Sequence, residues 1–96
     1  KEALLNINSK IKIKPTKKYI GFIGKTNFLD IRPQKKALKI WFNLKKGELD
    51  DPKALARDMS QTGHWGNGDY ELHISNDENL DYIISLAKQS YKKNSL

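Results

Sequence analysis

A chain of 96 residues has room for one domain, and the absence of cysteine excludes disulfides and thiolate metal sites. It carries 18 Lys and Arg against 11 Asp and Glu, for a net charge of +7, and no apolar run approaches the length of a membrane span. Because the chain begins at Lys1 rather than Met, we expect residues 1–96 to be a single domain of a longer protein. We expect it to lie in the cytoplasm, with no membrane partner.

The charge is unevenly distributed along the chain. Residues 1–46 contain thirteen Lys and Arg against only Glu2 and Asp30, whereas residues 47–87 contain nine acids against Lys53 and Arg57. An excess of positive charge in one half indicates a polyanionic partner, such as DNA or RNA, more than a general aid to solubility.

Alternating apolar and polar residues predict strands in the first half of the chain. Residues 2–8 are typical of the end of a helix. Residues 10–14 predict a lysine-rich edge strand, which Pro15 ends or reduces to an extended segment. Three further strands are predicted over residues 19–23, 28–32 and 38–44.

The segment 33–36 can close a hairpin between the last two of these strands in two ways. A loop of all four residues would pair Ile31 with Leu38. A two-residue loop at Lys35-Lys36 would change the partners but keep each side chain on the same face of the sheet.

The second half mixes helix signals with one strand. Asp51-Pro52 is typical of a helix start and predicts a helix to about Gln61, followed by a glycine-rich turn over 63–68 and a strand over 70–74. Ser75 or Asn76 would cap a last helix, with Ser75 and Glu78 forming a capping box. Its apolar stripe would be Leu80, Ile83, Ile84, Ala87 and Tyr91.

Together these elements predict an α+β domain. The sheet would be largely antiparallel, with about four strands, and the helices would pack on one of its faces. The expected order is α-β-β-β-α-β-α.

A basic and aromatic sheet face is the first candidate for a functional site. In the predicted hairpin, Phe28, Lys39, Trp41 and Asn43 share the outer face. Cations bind phosphates, and an exposed indole gives a base a surface for stacking. One alternative is that helices cover this face and Trp41 lies in the core. A second is that the lysines only solvate an edge of the sheet. The predicted nucleic-acid-binding residues are Arg32, Lys35, Lys36, Lys39, Trp41 and Asn43.

The composition of the cations limits what this face could recognise. Sixteen of the eighteen cations are Lys, and Arg is the better bidentate partner of guanine. We therefore expect contacts with the nucleic-acid backbone and weak sequence specificity.

A second candidate is the polar face of the strand over 70–74. Asp69, Glu71 and His73 would project from one side, with His64 nearby, as in a metal or acid–base cluster. No standard ligand spacing is matched, so a half-exposed strand after a structural turn is the simpler interpretation. We predict no catalytic residues, no metal and no cofactor.

Two further candidates are weaker. The backbone N–H groups of Gly66-Asn67-Gly68 could bind an anion, although a structural turn is favoured because neither usual phosphate motif is present. An acidic sector could mediate self-association or docking on an upstream domain, or could simply balance charge within the chain. Its residues are Glu48, Asp50, Asp51 and Asp58.

Several segments resemble an uncharacterised bacterial domain family in which they occur together. These segments are Ile31–Lys36, Asn43–Lys53, Ala56–Asp58 and Gly63–Glu71, and the resemblance extends over about residues 15–92. Members look like C-terminal modules, often attached to restriction-endonuclease-like or other DNA-linked domains. Some carry the label "predicted transport protein", which nothing in this sequence supports. The resemblance implies an accessory module and supplies no catalytic residues.

These observations predict a non-enzymatic accessory domain. It would help a linked nuclease-like module to engage nucleic acid through its basic sheet face. The alternative is a protein–protein interaction module with no nucleic-acid role.

Overall fold

The computed structural model describes residues 2–60, 68–75 and 79–95, with the side chains of residues 2 and 3 left aside. The elements in this part of the chain are α1 (Glu2–Leu5), β1 (Lys12–Pro15), β2 (Ile20–Ile23), β3 (Asn27–Pro33), β4 (Leu38–Phe42), β5 (Arg57–Asp58), β6 (Tyr70–Ile74) and α2 (Leu80–Lys93). The α+β class and the antiparallel sheet are confirmed. The sheet has six strands rather than about four, in the spatial order β1-β2-β3-β4-β6-β5, so the predicted order of elements is wrong in detail.

The lysine-rich segment forms an edge strand, as predicted. β1 pairs only with β2, and its last residue, Pro15, lies opposite Ile20. The next pair along the ladder, Thr16 and Tyr19, is hydrogen-bonded. Because hydrogen-bonded and non-hydrogen-bonded pairs alternate in an antiparallel ladder, Pro15 and Ile20 form a non-hydrogen-bonded pair, and the nitrogen of Pro15 faces the open edge. A proline without an N–H group is therefore accommodated there.

The hairpin of β3 and β4 has the two-residue loop. Ile31 pairs with Ile40, and the N–H of Gln34 donates to the carbonyl of Ala37 at 2.8 Å. The four-residue alternative, which pairs Ile31 with Leu38, is wrong, because the ladder continues to the pairing of Pro33 with Leu38 and leaves only Lys35 and Lys36 in the loop.

A bulge changes the position predicted for Phe28. The pairing of β2 with β3 shifts between Phe22 and Ile23, and Phe28 is the additional residue on β3. An extra residue turns its side chain away from strict alternation. Phe28 is fully buried and lies edge-on to Tyr91 of α2, with ring centroids 5.3 Å apart, so its predicted place on the outer face is wrong.

The helix predicted from Asp51 does not form over the described residues 51–60. The carbonyl of Asp51 accepts from Ala54 N at 2.9 Å, and its carboxylate accepts from Ala56 N at 2.8 Å. Ala54 has a φ of 51°, which takes the chain out of the helical path after one turn. The chain continues into β5, which sequence reasoning missed.

Helix α2 covers the sheet face that carries the apolar residues of β2, β3, β4 and β6. It begins at Leu80 with Asn79 as N-cap, so the start predicted at Ser75 or Asn76 is wrong; Asn76 and Glu78 lie outside the described residues. Leu80 is 49% exposed and does not belong to the core, contrary to the predicted stripe. The residues that α2 buries are Ile83, Leu86, Ala87 and Ser90.

The glycine-rich turn lies mostly outside the described residues, which include none of 61–67. Gly68 has the positive φ that the turn predicted, 85°. In the described part of the chain, no helix has the length and apolar composition needed to cross a lipid bilayer.

Candidate functional site

Two tight hairpin turns at one end of the sheet each present a pair of lysines. Lys17-Lys18 lie between β1 and β2, where Thr16 N donates to Tyr19 O at 2.8 Å, and Lys35-Lys36 occupy the equivalent positions between β3 and β4. All four are exposed. Because β1 to β4 are consecutive antiparallel strands, both turns project from the same end of the sheet. We call this surface, with Arg32 and Lys39 next to it, the lysine end.

The backbone of the first turn is held by Thr16. Its hydroxyl accepts from Lys18 N at 3.3 Å and from Tyr19 N at 3.0 Å, and donates to Tyr19 O at 2.8 Å. A side chain that replaces backbone hydrogen bonds in this way fixes a turn. The lysines of this turn therefore extend from an ordered base.

Arg32 and Lys39 lie directly opposite each other on β3 and β4. Both are half-buried, and like charges in such a cross-strand pair repel. Lys39 Nζ lies 4.0 Å from Glu71 Oε1, which offsets part of this repulsion.

Trp41 does not provide a stacking surface. The indole is 2% exposed, and its Nε1 donates to Glu71 Oε1 at 3.1 Å on the neighbouring strand β6. The expectation of an exposed aromatic at this position is therefore wrong. Trp41 is buried, as in the alternative interpretation, but α2 does not cover it: Ile40 and Phe42, on the other face of β4, pack in the core with α2.

Asn43 is also held by hydrogen bonds within the fold. It is half-buried, its Nδ2 donates to Asn27 O at 2.8 Å, and its carbonyl accepts from Asn94 Nδ2 at 2.9 Å. The structure thus brings four of the six predicted binding residues to the lysine end, namely Arg32, Lys35, Lys36 and Lys39.

Sequence reasoning missed Tyr19, which lies between two cavities. The larger, of about 570 Å³, is lined by residues 15–20 together with Arg32 and Pro33. The smaller, of about 210 Å³, lies next to Gly21 and Asn27. The signal in the sequence that could have identified Tyr19 is its position, as an aromatic residue directly after Lys17-Lys18.

The predicted cluster of Asp69, Glu71 and His73 does not form a metal site. Asp69 Oδ2 accepts from Lys46 N at 2.9 Å, and Glu71 is engaged by Trp41 and Lys39. Among residues 2–60, 68–75 and 79–95, no three His, Asp or Glu side chains are close enough to share an ion. His64 lies outside these ranges.

The described part of the predicted anion nest supports the structural interpretation. A Cβ added at Gly68 would lie 2.7 Å from Asn43 Cα and 2.7 Å from Leu44 N. This glycine therefore permits close backbone packing next to β4. Gly66 and Asn67 lie outside the described residues.

Part of the acidic sector is used to attach the loop before β5 to α2. Tyr82 Oη donates to Asp51 Oδ1 and accepts from Lys53 N at 3.0 Å. Gln89 accepts from Asp50 N and donates to Asp50 O, both at 2.8 Å. Burial raises the pKa of Tyr82 above its usual value, and the hydrogen bond to Asp51 raises it further.

Asp58 has a more open environment. Hydrogen bonding by Ser60 lowers the pKa of Asp58, and the Lys46 ammonium at 3.9 Å adds to this shift. Of these acids, Asp58 lies next to a cation, Lys46, and the Asp51 carboxylate accepts hydrogen bonds from neutral groups of the chain, whereas Asp50 contacts Gln89 through its backbone.

Comparison with known proteins gives one family and one relative. A family model described as a domain of unknown function, DUF5655, matches residues 1–94. An uncharacterized protein of Haemophilus influenzae (strain ATCC 51907 / DSM 11121 / KW20 / Rd) is similar, with 54% identity over 92 residues. The match covers 96% of this chain and 30% of the relative, so the chain spans less than a third of that protein. No solved structure matches the chain.

Proposed function

The chain belongs to the DUF5655 family of domains of unknown function, and we propose that it is a non-enzymatic accessory domain that binds nucleic acid through the lysine end. The observation that supports this proposal is the convergence of two lysine-bearing turns at one end of the sheet. Lys17-Lys18 and Lys35-Lys36 are exposed there, and Arg32 lies on β3, the strand of the second hairpin that pairs with the first. Adjacent strands are about 4.8 Å apart, so the turns lie about 10 Å apart across the sheet.

The partner is the sugar–phosphate backbone rather than the base edges. Lysines contact phosphates as point charges, whereas bidentate recognition of guanine needs arginine geometry. Only Arg32 could supply that geometry at the lysine end. The proposal therefore predicts binding that depends strongly on salt and little on sequence.

Fluorescence anisotropy with short labelled DNA duplexes tests the proposal. If four phosphates are contacted, affinity falls about 100-fold between 50 and 200 mM salt. The variant K35Q/K36Q should bind more weakly, on the order of tenfold per lysine, at low salt.

The matched control is K92Q/K93Q. Lys92 and Lys93 are equally exposed but lie in the last turn of α2. That turn adjoins the opposite end of the sheet, because Thr26 of the β2–β3 turn donates to Asn94 O at 3.1 Å. Equal losses in both variants, or no binding at 50 mM salt, would refute the proposal.

We propose that the domain is part of a longer protein, in which it assists a linked nuclease-like module in the cytoplasm. The chain covers 30% of its Haemophilus relative, which leaves ample length for such a module. The same lysine substitutions in a full-length protein should raise KM for a nucleic-acid substrate with little change in kcat. A fall in kcat alone would contradict an accessory role.

A protein-interaction module is the second candidate. Leu38 and Leu80 are 37% and 49% exposed, and they are the large hydrophobic residues exposed in the described part of the chain. Leu38 pairs with Ile74, and both line a cavity of about 340 Å³. If this surface binds the rest of the parent protein, L38D should prevent co-elution of the separated parts, whereas K92Q/K93Q should not. Unchanged co-elution would exclude this surface.

A further inference from the structure

We infer that the cleft beside Tyr19 binds an unpaired nucleotide, so that the domain prefers single-stranded nucleic acid to duplex. This inference rests on the proposed function and names the ligand of the same surface. It gives the stacking role to Tyr19, since Trp41 is buried.

The lining of the cleft has the chemistry that a nucleotide requires. Pro15, Ile20 and Pro33 contribute apolar surface, Tyr19 an aromatic ring, and Arg32 a guanidinium group. The exposed lysines 17 and 18 also line it. A base needs apolar or aromatic surface and its phosphate needs cations, and the cleft offers both within about 570 Å³.

The cleft arises from the unequal lengths of the two hairpins. Ile20 pairs with Ile31, and from this row the first turn is reached after two residues, at Lys18. The second turn is reached after four residues, at Lys35. At about 3.3 Å per residue, the longer hairpin extends about 7 Å beyond the shorter one, and the space next to this step is the cleft.

Tyr19 is held at the inner side of this step. Both its N–H and its carbonyl are hydrogen-bonded to the Thr16 hydroxyl, at 3.0 and 2.8 Å, so the backbone that carries the ring is fixed. The half-buried side chain borders cavities on two sides. A ring carried by a fixed backbone has less conformational entropy to lose when a base stacks on it.

The preference for a single strand follows from the accessibility of base faces. In a duplex, each base is covered above and below by its neighbours, so a duplex can offer only phosphates to the lysine end. An unpaired base can leave the stack and lie against Tyr19, with its phosphate near Arg32 or Lys17.

The experiment compares three ligands of matched length by fluorescence anisotropy at about 50 mM salt. They are a 12-residue thymidine oligonucleotide, a 12-residue abasic oligonucleotide with the same phosphates, and a 12-base-pair duplex. The protein should bind the thymidine oligonucleotide more tightly than the abasic one, on the order of tenfold. Tyr19→Leu should abolish this difference, because binding to the thymidine oligonucleotide should fall to the level of the abasic one. Tyr19→Phe, which keeps the ring, should preserve it.

Each outcome separates the inference from the proposed function. Equal, salt-sensitive binding of thymidine and abasic ligands by the unaltered protein overturns the inference and leaves the proposed function standing. Parallel losses for both ligands in Tyr19→Leu, with a changed circular dichroism spectrum, show a merely structural role and also overturn it. Binding to none of the three ligands overturns both.

Discussion

Trp41 and Glu71 are cross-strand neighbours on β4 and β6, and the indole Nε1 donates to the Glu71 carboxylate at 3.1 Å. The same carboxylate oxygen lies 4.0 Å from Lys39 Nζ. One acid thus satisfies a buried indole and a cation of the lysine end, and it couples the interior of the sheet to its charged surface.

Replacement of Glu71 should test this coupling. Glu71→Ala removes an acceptor from a buried N–H and should reduce the free energy of unfolding by about 1–3 kcal/mol. Glu71→Gln keeps an acceptor oxygen and should cost less. Urea unfolding followed by tryptophan fluorescence measures both, and equal stability of Glu71→Ala and the unaltered protein would contradict the role of the hydrogen bond.

Two glycines with similar backbone angles should differ in their tolerance of alanine. Gly47 and Gly68 have φ values of 89° and 85°. A Cβ on Gly47 meets no atom within 4 Å, so Gly47→Ala should cost only about 1–2 kcal/mol for the left-handed backbone. A Cβ on Gly68 meets the backbone of β4, so Gly68→Ala should cost clearly more. Chemical denaturation of both variants would show it, and equal losses would refute the packing argument.

Tyr82 should make stability depend on alkaline pH. Its pKa is raised in the folded chain by burial and by the hydrogen bond to Asp51. The neutral phenol therefore contributes stability that is fully present below about pH 10, the usual pKa of tyrosine, and is lost as the pH rises through the folded-state value. Urea midpoints between pH 8 and 11.5 should fall less steeply for Tyr82→Phe than for the unaltered protein. Parallel curves for the two proteins would count against this link.

The two ends of the α2 apolar surface should respond differently to truncation. Leu86 is fully buried, whereas Leu80 is 49% exposed. Leu86→Ala should therefore cost about 2–5 kcal/mol, and Leu80→Ala less than about 1 kcal/mol. Thermal unfolding compares the two variants directly. A large loss for Leu80→Ala would place that residue in the core after all.

The strands of the first half were predictable because their signals are local. Alternation over a few residues identifies a strand, although it did not decide between the two possible loops over 33–36. The bulge at Phe28 was not predictable, because it depends on how β2 and β3 align.

The helix predicted at Asp51-Pro52 shows how a distant residue overrides a local signal. The carboxylate accepts from Tyr82, which lies 31 residues further along the chain, and from Ala56. Neither partner can be recognised from the dipeptide Asp51-Pro52 alone. The segment therefore forms a single turn where the capping pattern predicts a helix.

The charge of the candidate site could be predicted from the sequence, whereas its shape could not. The lysines of the second turn and their common end with Arg32 follow from the hairpin. Burial of Trp41 does not follow, because alternation separates two faces without showing which is accessible. The cleft at Tyr19 depends on the alignment of two hairpins, which no single strand pattern contains.

The cleft exists because the second hairpin has more residues in each strand than the first, so its presence depends on the length of the first hairpin. Four residues inserted between Lys17 and Lys18, two for each strand, would lengthen the shorter hairpin to match its neighbour, with every core side chain and every lysine retained. Insertions or deletions at this one exposed turn would therefore close or open the recess beside Tyr19, with little effect on the stability of the sheet.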